Sequence, residues 1–345
     1  MDNDFKRRTT FVVVVCAGVV VAAMLVWATR VILLLIFAGL LGALLLTVMT
    51  DWIRDTLRLR RSLAFSLVVA LITVCLGLGI LMRGSAVLEQ FSDLQVDLPT
   101  ALHQVVLRLE TQRWGHWLLS RYAGWEQLSS SLSYLLTRVG GAVITTASII
   151  IDLFVIVAIS LYVAAEPNAY LRILHYVTPQ AYREKLDLGV ASAMQLLRLW
   201  LFAKVISMLS IGALIAFGLW ALKVPLAGTL GFIAALLTFI PNFGPVFSVV
   251  PAALLAFAIS PTKGILTLLL FGTAHFLEGN IVTPLLERRI VTLPPALTLA
   301  VQLLLASVTG AIGVVLAAPL TAAMLGVLMV LHPNDPHPSS ANTRA

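Results

Sequence analysis

Charge is what this sequence has least of. Only 11% of its 345 residues are Asp, Glu, Lys or Arg, against about a quarter in an ordinary soluble domain, so a water-facing fold with a buried apolar core is excluded. Cysteine is scarce too: Cys16 and Cys75 both lie inside apolar runs, away from the loop setting of a disulfide, a zinc site or a reactive thiolate, and are expected to be small packing residues. There is no Walker loop, dinucleotide fingerprint or nucleophile elbow, which argues against an ATP-driven pump in a single chain and against the common enzyme classes. The chain is therefore not expected to be an enzyme, and no cofactor or metal is implied. The short alternating segments of a membrane β-barrel are absent as well, which leaves helices.

What is present is apolar length. Hydrophobic residues make up 60% of the chain, and several runs reach the ~18 residues that a helix needs to cross about 30 Å of hydrocarbon. The fold class expected is an all-α integral membrane protein. The formal net charge of +7 does not point to nucleic acid, because the Lys and Arg residues sit between apolar runs and form no continuous basic face. They report orientation instead.

Phe11 to Trp27 reads as a first span, Val31 to Met49 as a second and Leu63 to Met82 as a third. Lys6, Arg7 and Arg8 before the first run imitate a signal peptide, but the run exceeds the usual apolar stretch of one, so an uncleaved span is expected. That basic cluster and Arg54, Arg58, Arg60 and Arg61 place the N-terminus and the loop after the second span in the cytoplasm. The segment from Gly84 to Arg138 then lies outside. Its charges exclude a span, while apolar positions such as Val87, Phe91, Leu94 and Leu98 recur at helical spacing. Two or three amphipathic helices are expected there, on the outer surface or packed on a neighbouring subunit, with Trp114, Trp117, Tyr122, Trp125 and Tyr134 suited to the headgroup level.

Gly141 to Ala165 reads as a fourth span that stops at Glu166-Pro167. A basic cytoplasmic stretch with Arg172, Arg183, Lys185 and Arg198 follows, and Val205 to Leu222 reads as a fifth span. Leu226 to Ile259 is then apolar for about 34 residues, about 51 Å as one helix, which is too long for the membrane. It must break, and Pro241-Asn242-Phe243-Gly244-Pro245 marks the place. Pro295 to Leu331 repeats the problem, with Gly310, Gly313 and Pro319 as weak points. Ile265 to Pro284 crosses between them and is followed by Glu287-Arg288-Arg289, expected to be cytoplasmic. This layout divides the chain into N-terminal helices (1–83), an extracytoplasmic amphipathic region (84–138), a C-terminal transport core (139–331) and a polar tail (332–345) expected to be disordered.

Non-helical backbone in a bilayer persists only where protein or a water-filled cavity satisfies it, so the Pro241–Pro245 break is the first candidate site, with Asn242 and freed carbonyls as ligands. The alternative is a packing kink. A second candidate is His275, Glu278 and Asn280, the first two sharing a helix face and suited to proton or cation handling; interface anchoring is the other reading. Asp152, amid Ile149 to Val157, is too costly to face lipid, and either handles protons or bonds a neighbouring helix. Lys204 is read as snorkelling to the cytoplasmic interface.

The blocks Phe239-Ile-Pro-Asn-Phe-Gly-Pro-Val246, Leu277-Glu-Gly-Asn-Ile-Val-Thr-Pro284 and Gly310-Ala-Ile-Gly-Val-Val-Leu-Ala-Ala-Pro319 resemble, in order and spacing, the autoinducer-2 exporter family of bacterial membrane proteins, also called the PerM permease family. The resemblance implies about eight membrane segments in a bacterial inner membrane, cytoplasmic termini, and a homo-oligomer that could be a pentamer. It also implies transport, by export of the furanone autoinducer-2 in some members and by sodium–proton exchange in others. Pro241, Gly244, Pro245, Glu278, Asn280 and Pro284 carry over. Where relatives commonly place Gly-Gln, this chain has Ala203-Lys204, and Asp152 is outside the shared pattern. The expected partners are membrane lipids and a small solute or ion, and a membrane scaffold that transports nothing stays open as a third reading.

Overall fold

The structure is a computed structural model that describes residues 2–110, 147–282 and 295–331. Among the described residues there is no strand. The helices are α1 (Asp2–Leu57), α2 (Arg61–Glu110), α3 (Ala147–Ala165), α4 (Pro167–Val177), α5 (Arg183–Ala221), α6 (Ala227–Thr238), α7 (Phe243–Ile259), α8 (Pro261–Leu277), α9 (Pro295–Thr309) and α10 (Ala311–Leu331). A turn of π-helix, Glu278–Val282, extends α8.

The first correction concerns α1, which is a single helix of 56 residues, about 84 Å long at 1.5 Å per residue. The sequence reads two spans separated by Ala28-Thr29-Arg30, yet none of these residues breaks a helix. Their polar groups are absorbed locally: the Thr29 hydroxyl donates to the Leu25 carbonyl at 2.8 Å, and the Arg30 guanidinium donates to the Trp27 carbonyl at 2.8 Å and lies over the Trp27 ring. Burial divides the helix instead. Leu34, Leu35, Leu41, Ala43, Leu44 and Ile53 are buried, while every large apolar side chain described between Val13 and Trp27 is exposed.

The second correction concerns α2, which continues through Gly84 without interruption to Glu110. Its amphipathic face does not lie on a membrane surface over this stretch, because Leu94, Leu98 and Ala101 are buried in one core with Ile211, Leu230, Ala252 and Phe271. The rest of the outer region, from residue 111, and the polar tail lie outside the described residues.

Close helix approach is set by small residues. Gly39 and Gly42 on α1 face Ile159 and Ser160 on α3, and a Cβ at Gly42 would run into the Ser160 hydroxyl, which donates to the Gly39 carbonyl at 3.0 Å. Gly212 of α5 and Gly231 of α6 leave room for Ala235 and Ala216 in the same way, and that pairing makes α5 and α6 antiparallel. As the sequence predicts, α3 stops at Glu166, and the chain bends by 89° into α4.

Among the described residues, four helical stretches are long and apolar enough to cross a membrane: Cys16–Leu57, Gln180–Ala221, Pro261–Val282 and Ala311–Leu331. The bent pair of α3 and α4 raises the number to five, whereas Arg61–Cys75, α6, α7 and α9 are shorter apolar helices. The count of eight that the resemblance implies is not reached among the described residues.

Candidate functional site

Both overlong apolar segments are broken, and the breaks have local causes. The first falls at Phe239–Asn242, between α6 and α7. Pro241 has no amide hydrogen to offer a continuing helix, and Pro245 sits in the first turn of α7, where that hydrogen would be unsatisfied in any case. Asn242 has φ of 66° and ψ of −47°, the centre of a γ-turn closed by the Phe243 amide donating to the Pro241 carbonyl at 2.7 Å. Short bonds close the turn, with the Ile240 amide donating to the Leu237 carbonyl at 2.9 Å and the Gly244 amide to the Ile240 carbonyl at 3.0 Å. A Cβ on Gly244 would collide with the Leu237 carbonyl and carbon, so only glycine lets α7 fold back this closely on α6.

The second break is at Gly310, with φ of 68°, and a Cβ at Gly313 would meet the Thr309 hydroxyl and the Leu305 carbonyl. Arg30 of α1 ties down this end of α9, its Nε donating to the Val308 carbonyl at 2.7 Å. Pro319, expected to be a weak point, is buried inside an unbroken α10; neighbouring helices make a proline tolerable there.

The two broken segments meet through a residue that sequence reasoning missed. Gln302 of α9 is completely buried; its Nε2 donates to the Pro241 carbonyl at 3.0 Å and its Oε1 accepts from Asn242 Nδ2 at 3.2 Å. The second broken segment therefore grips the turn of the first, sharing the Pro241 carbonyl with the Phe243 amide and holding the Asn242 side chain. A signal for it existed, since Gln302 is the sole carboxamide in the apolar run from Pro295 to Leu331, and such a group inside a membrane needs a partner.

A single face of α5 connects this turn to the second candidate cluster. Trp200 packs edge-on against Phe239, with ring centroids 5.6 Å apart. Seven residues along the same face, about 10 Å of rise, the buried Ser207 hydroxyl donates to Glu278 Oε1 at 2.7 Å. Lys204 lies between them on that face and is half-buried. It stands inside α5, 21 residues after the helix begins at Arg183, and Arg198, which pairs with Asp51 at 3.4 Å, is nearer that start. His275, one turn before Glu278, has both ring nitrogens buried without a hydrogen-bond partner among the described residues, and the charges of Glu278 and Lys204 both act on it.

Depth follows from helix lengths. Lys263 Nζ donates to the Lys223 carbonyl at 3.2 Å, which fixes one end of the core; the 12 residues of α6 carry the chain about 18 Å inward from there, a little past half of a 30 Å hydrocarbon layer. The turn at Pro241 lies near that level, and Glu278, 15 residues beyond Lys263 along α8, lies about 22 Å from the same end.

The remaining predicted site residues do not converge. The Asn280 amide turns back on its own helix, donating to the Phe276 carbonyl at 2.9 Å. Asp152 is half-buried on α3, whose main packing partner is α1. Pro284 and Glu287–Arg289 lie outside the described residues. No group of three or more His, Cys, Asp or Glu that could hold a metal ion occurs among the described residues.

Long apolar helices with two interrupted segments clasped at a polar turn define a multi-pass membrane transporter. The chain belongs to the AI-2E family of transporters, matching the AI-2E family transporter over residues 15–331. It is similar to two proteins of Bacillus subtilis (strain 168). "Putative transport protein YrrI" is 26% identical over 185 residues, covering 52% of each chain. "Putative transport protein YueF" is 22% identical over 251 residues, covering 69% of this chain and 68% of that one. The match to the first thus spans about half of that relative's length.

Proposed function

We propose that the protein exports a small polar organic solute, such as autoinducer-2, across the bacterial inner membrane, along a path that passes the Pro241–Gly244 turn. The observation that carries this reading is the clasp of Gln302 on Pro241 and Asn242. It supplies a polar, non-helical turn near half-depth, where freed backbone and an amide can replace a solute's hydration. The Asn242 residue is exposed although its amide is engaged, so a solute reaches it without first opening the core. Family membership supports transport, and export from the cytoplasm by a homo-oligomer is the direction and assembly that this reading adopts.

A second reading, cation–proton antiport, is favoured by the Ser207–Glu278–His275 cluster. The two sequence-predicted carboxylates separate it from the first. Glu278 sits in the polar cluster and Asp152 does not, so Glu278→Gln is expected to change the pH dependence of flux in proteoliposomes while Asp152→Asn leaves it as in wild type. Removing a titratable group while keeping its shape isolates the charge. An unchanged pH profile in the Glu278 variant, with a solute flux that persists without any ion gradient, leaves facilitated export and rules out Glu278 as a proton carrier.

A further inference from the structure

The polar cluster on α5 and α8 holds a cation of its own. We propose that Lys204 is a tethered counter-cation for Glu278, filling the place that a sodium ion would take and making the site independent of sodium. The inference rests on reading the Glu278 cluster as the ion-handling part of the transporter.

Geometry brings the two groups together. Ser207 donates to one oxygen of Glu278 at 2.7 Å, so the carboxylate lies against α5 at that turn. Lys204 precedes Ser207 by three residues, and side chains at that spacing stand on one face with Cβ atoms about 5–6 Å apart. A lysine stem of four carbons spans that gap easily, and its ammonium brings three donors and a compact charge. The face that carries both is fixed at its other end by Trp200 against Phe239. The electrostatic influence of both Lys204 and Glu278 on His275 agrees with three groups sharing one small volume.

The physical consequence is competition. A carboxylate at this depth is costly unless a cation or donors compensate it. A mobile sodium ion could do so, but a resident ammonium does it permanently and repels a second cation from the same carboxylate. Lys204 is thus a specificity-determining residue: with it the carboxylate is compensated by the protein itself, and without it the carboxylate has a vacancy that a monovalent cation fits.

The test reads sodium binding and needs no transported solute. The thermal unfolding midpoint of the purified full chain is compared in sodium chloride and in choline chloride at equal ionic strength. Wild type is expected to show no sodium-specific shift. Lys204→Gln, close in size but neutral, is expected to gain a sodium-specific rise of about 3 °C, and adding Glu278→Gln should abolish it. Lys204→Ala serves the same purpose if the Gln variant does not assemble. A sodium-specific rise in wild type that Glu278→Gln removes would overturn the proposal, as would a folded, neutral variant at residue 204 with no gain. A wild-type protein that moves no solute in proteoliposomes would defeat the transport reading and leave the sodium comparison as it stands, so the two failures are distinguishable.

Discussion

Gly244→Ala is expected to reduce flux per assembled protein by about a hundredfold. One methyl group suffices because what it meets is backbone: a Cβ at Gly244 would collide with the carbonyl of Leu237, and no rotamer change can move that atom aside. The hairpin of α6 and α7 must open, at a cost in the overpacking range of about 1–3 kcal/mol or more, and an equilibrium shift of about 2.7 kcal/mol is a factor of roughly a hundred. Gly244→Leu adds bulk to the same collision and should abolish flux altogether. Both variants keep the long apolar helices and their flanking charges, so membrane insertion should be preserved. Protein in the membrane is measured by quantitative immunoblot and flux by solute accumulation in inverted vesicles.

Gln302→Leu is the second large effect. The substitution preserves volume while removing two hydrogen bonds at once: the one that Asn242 gives to Gln302, and the one that Gln302 gives to the Pro241 carbonyl, which keeps only the Phe243 amide. A hydrogen bond contributes about 0.5–1.5 kcal/mol net, so losing two costs about 1–3 kcal/mol, which corresponds to a loss of about tenfold or more in the population with an ordered turn. Flux should fall accordingly. Gln302→Glu is the informative companion: its carboxylate can still accept from Asn242 but can donate to the Pro241 carbonyl only when protonated. Partial recovery of flux at low pH in that variant, absent from Gln302→Leu, would show that donation to Pro241 is what matters.

The parts of this arrangement that the sequence reveals are those with local causes. Proline and glycine act on the backbone where they stand, so the breaks at Pro241–Pro245 and Gly310 and the stop at Glu166-Pro167 could be placed without a structure. Three features were beyond reach for different physical reasons. The gap at Ala28-Thr29-Arg30 interrupts hydropathy and not helix propensity, which is why two apparent spans are one helix. Leu94 and Leu98 advertise an apolar face, but periodicity does not say what covers it; the answer is the core around Leu230 and Ala252. Gln302 and Lys204 acquire meaning only from partners on other helices, about 60 residues away in sequence for Gln302 and about 70 for the face that carries Lys204. Pro319 failed in the opposite sense, since a proline shielded by neighbouring helices bends nothing visibly in α10.

Water access at the turn separates a transport path, which requires it, from a packing kink, which does not. In a chain whose Cys16 and Cys75 are replaced by serine, Asn242→Cys is exposed to a hydrophilic, membrane-impermeant thiol reagent and compared with Leu209→Cys. Leu209 is 67% exposed on α5, one turn at most from Ser207, and so provides an apolar surface control expected to face lipid. Asn242→Cys is expected to react at least about tenfold faster than Leu209→Cys, because a thiolate needs water to form and react, and an excess of transported solute is expected to slow it. Equal, negligible reaction at both positions would contradict a transport path through the Pro241–Gly244 turn.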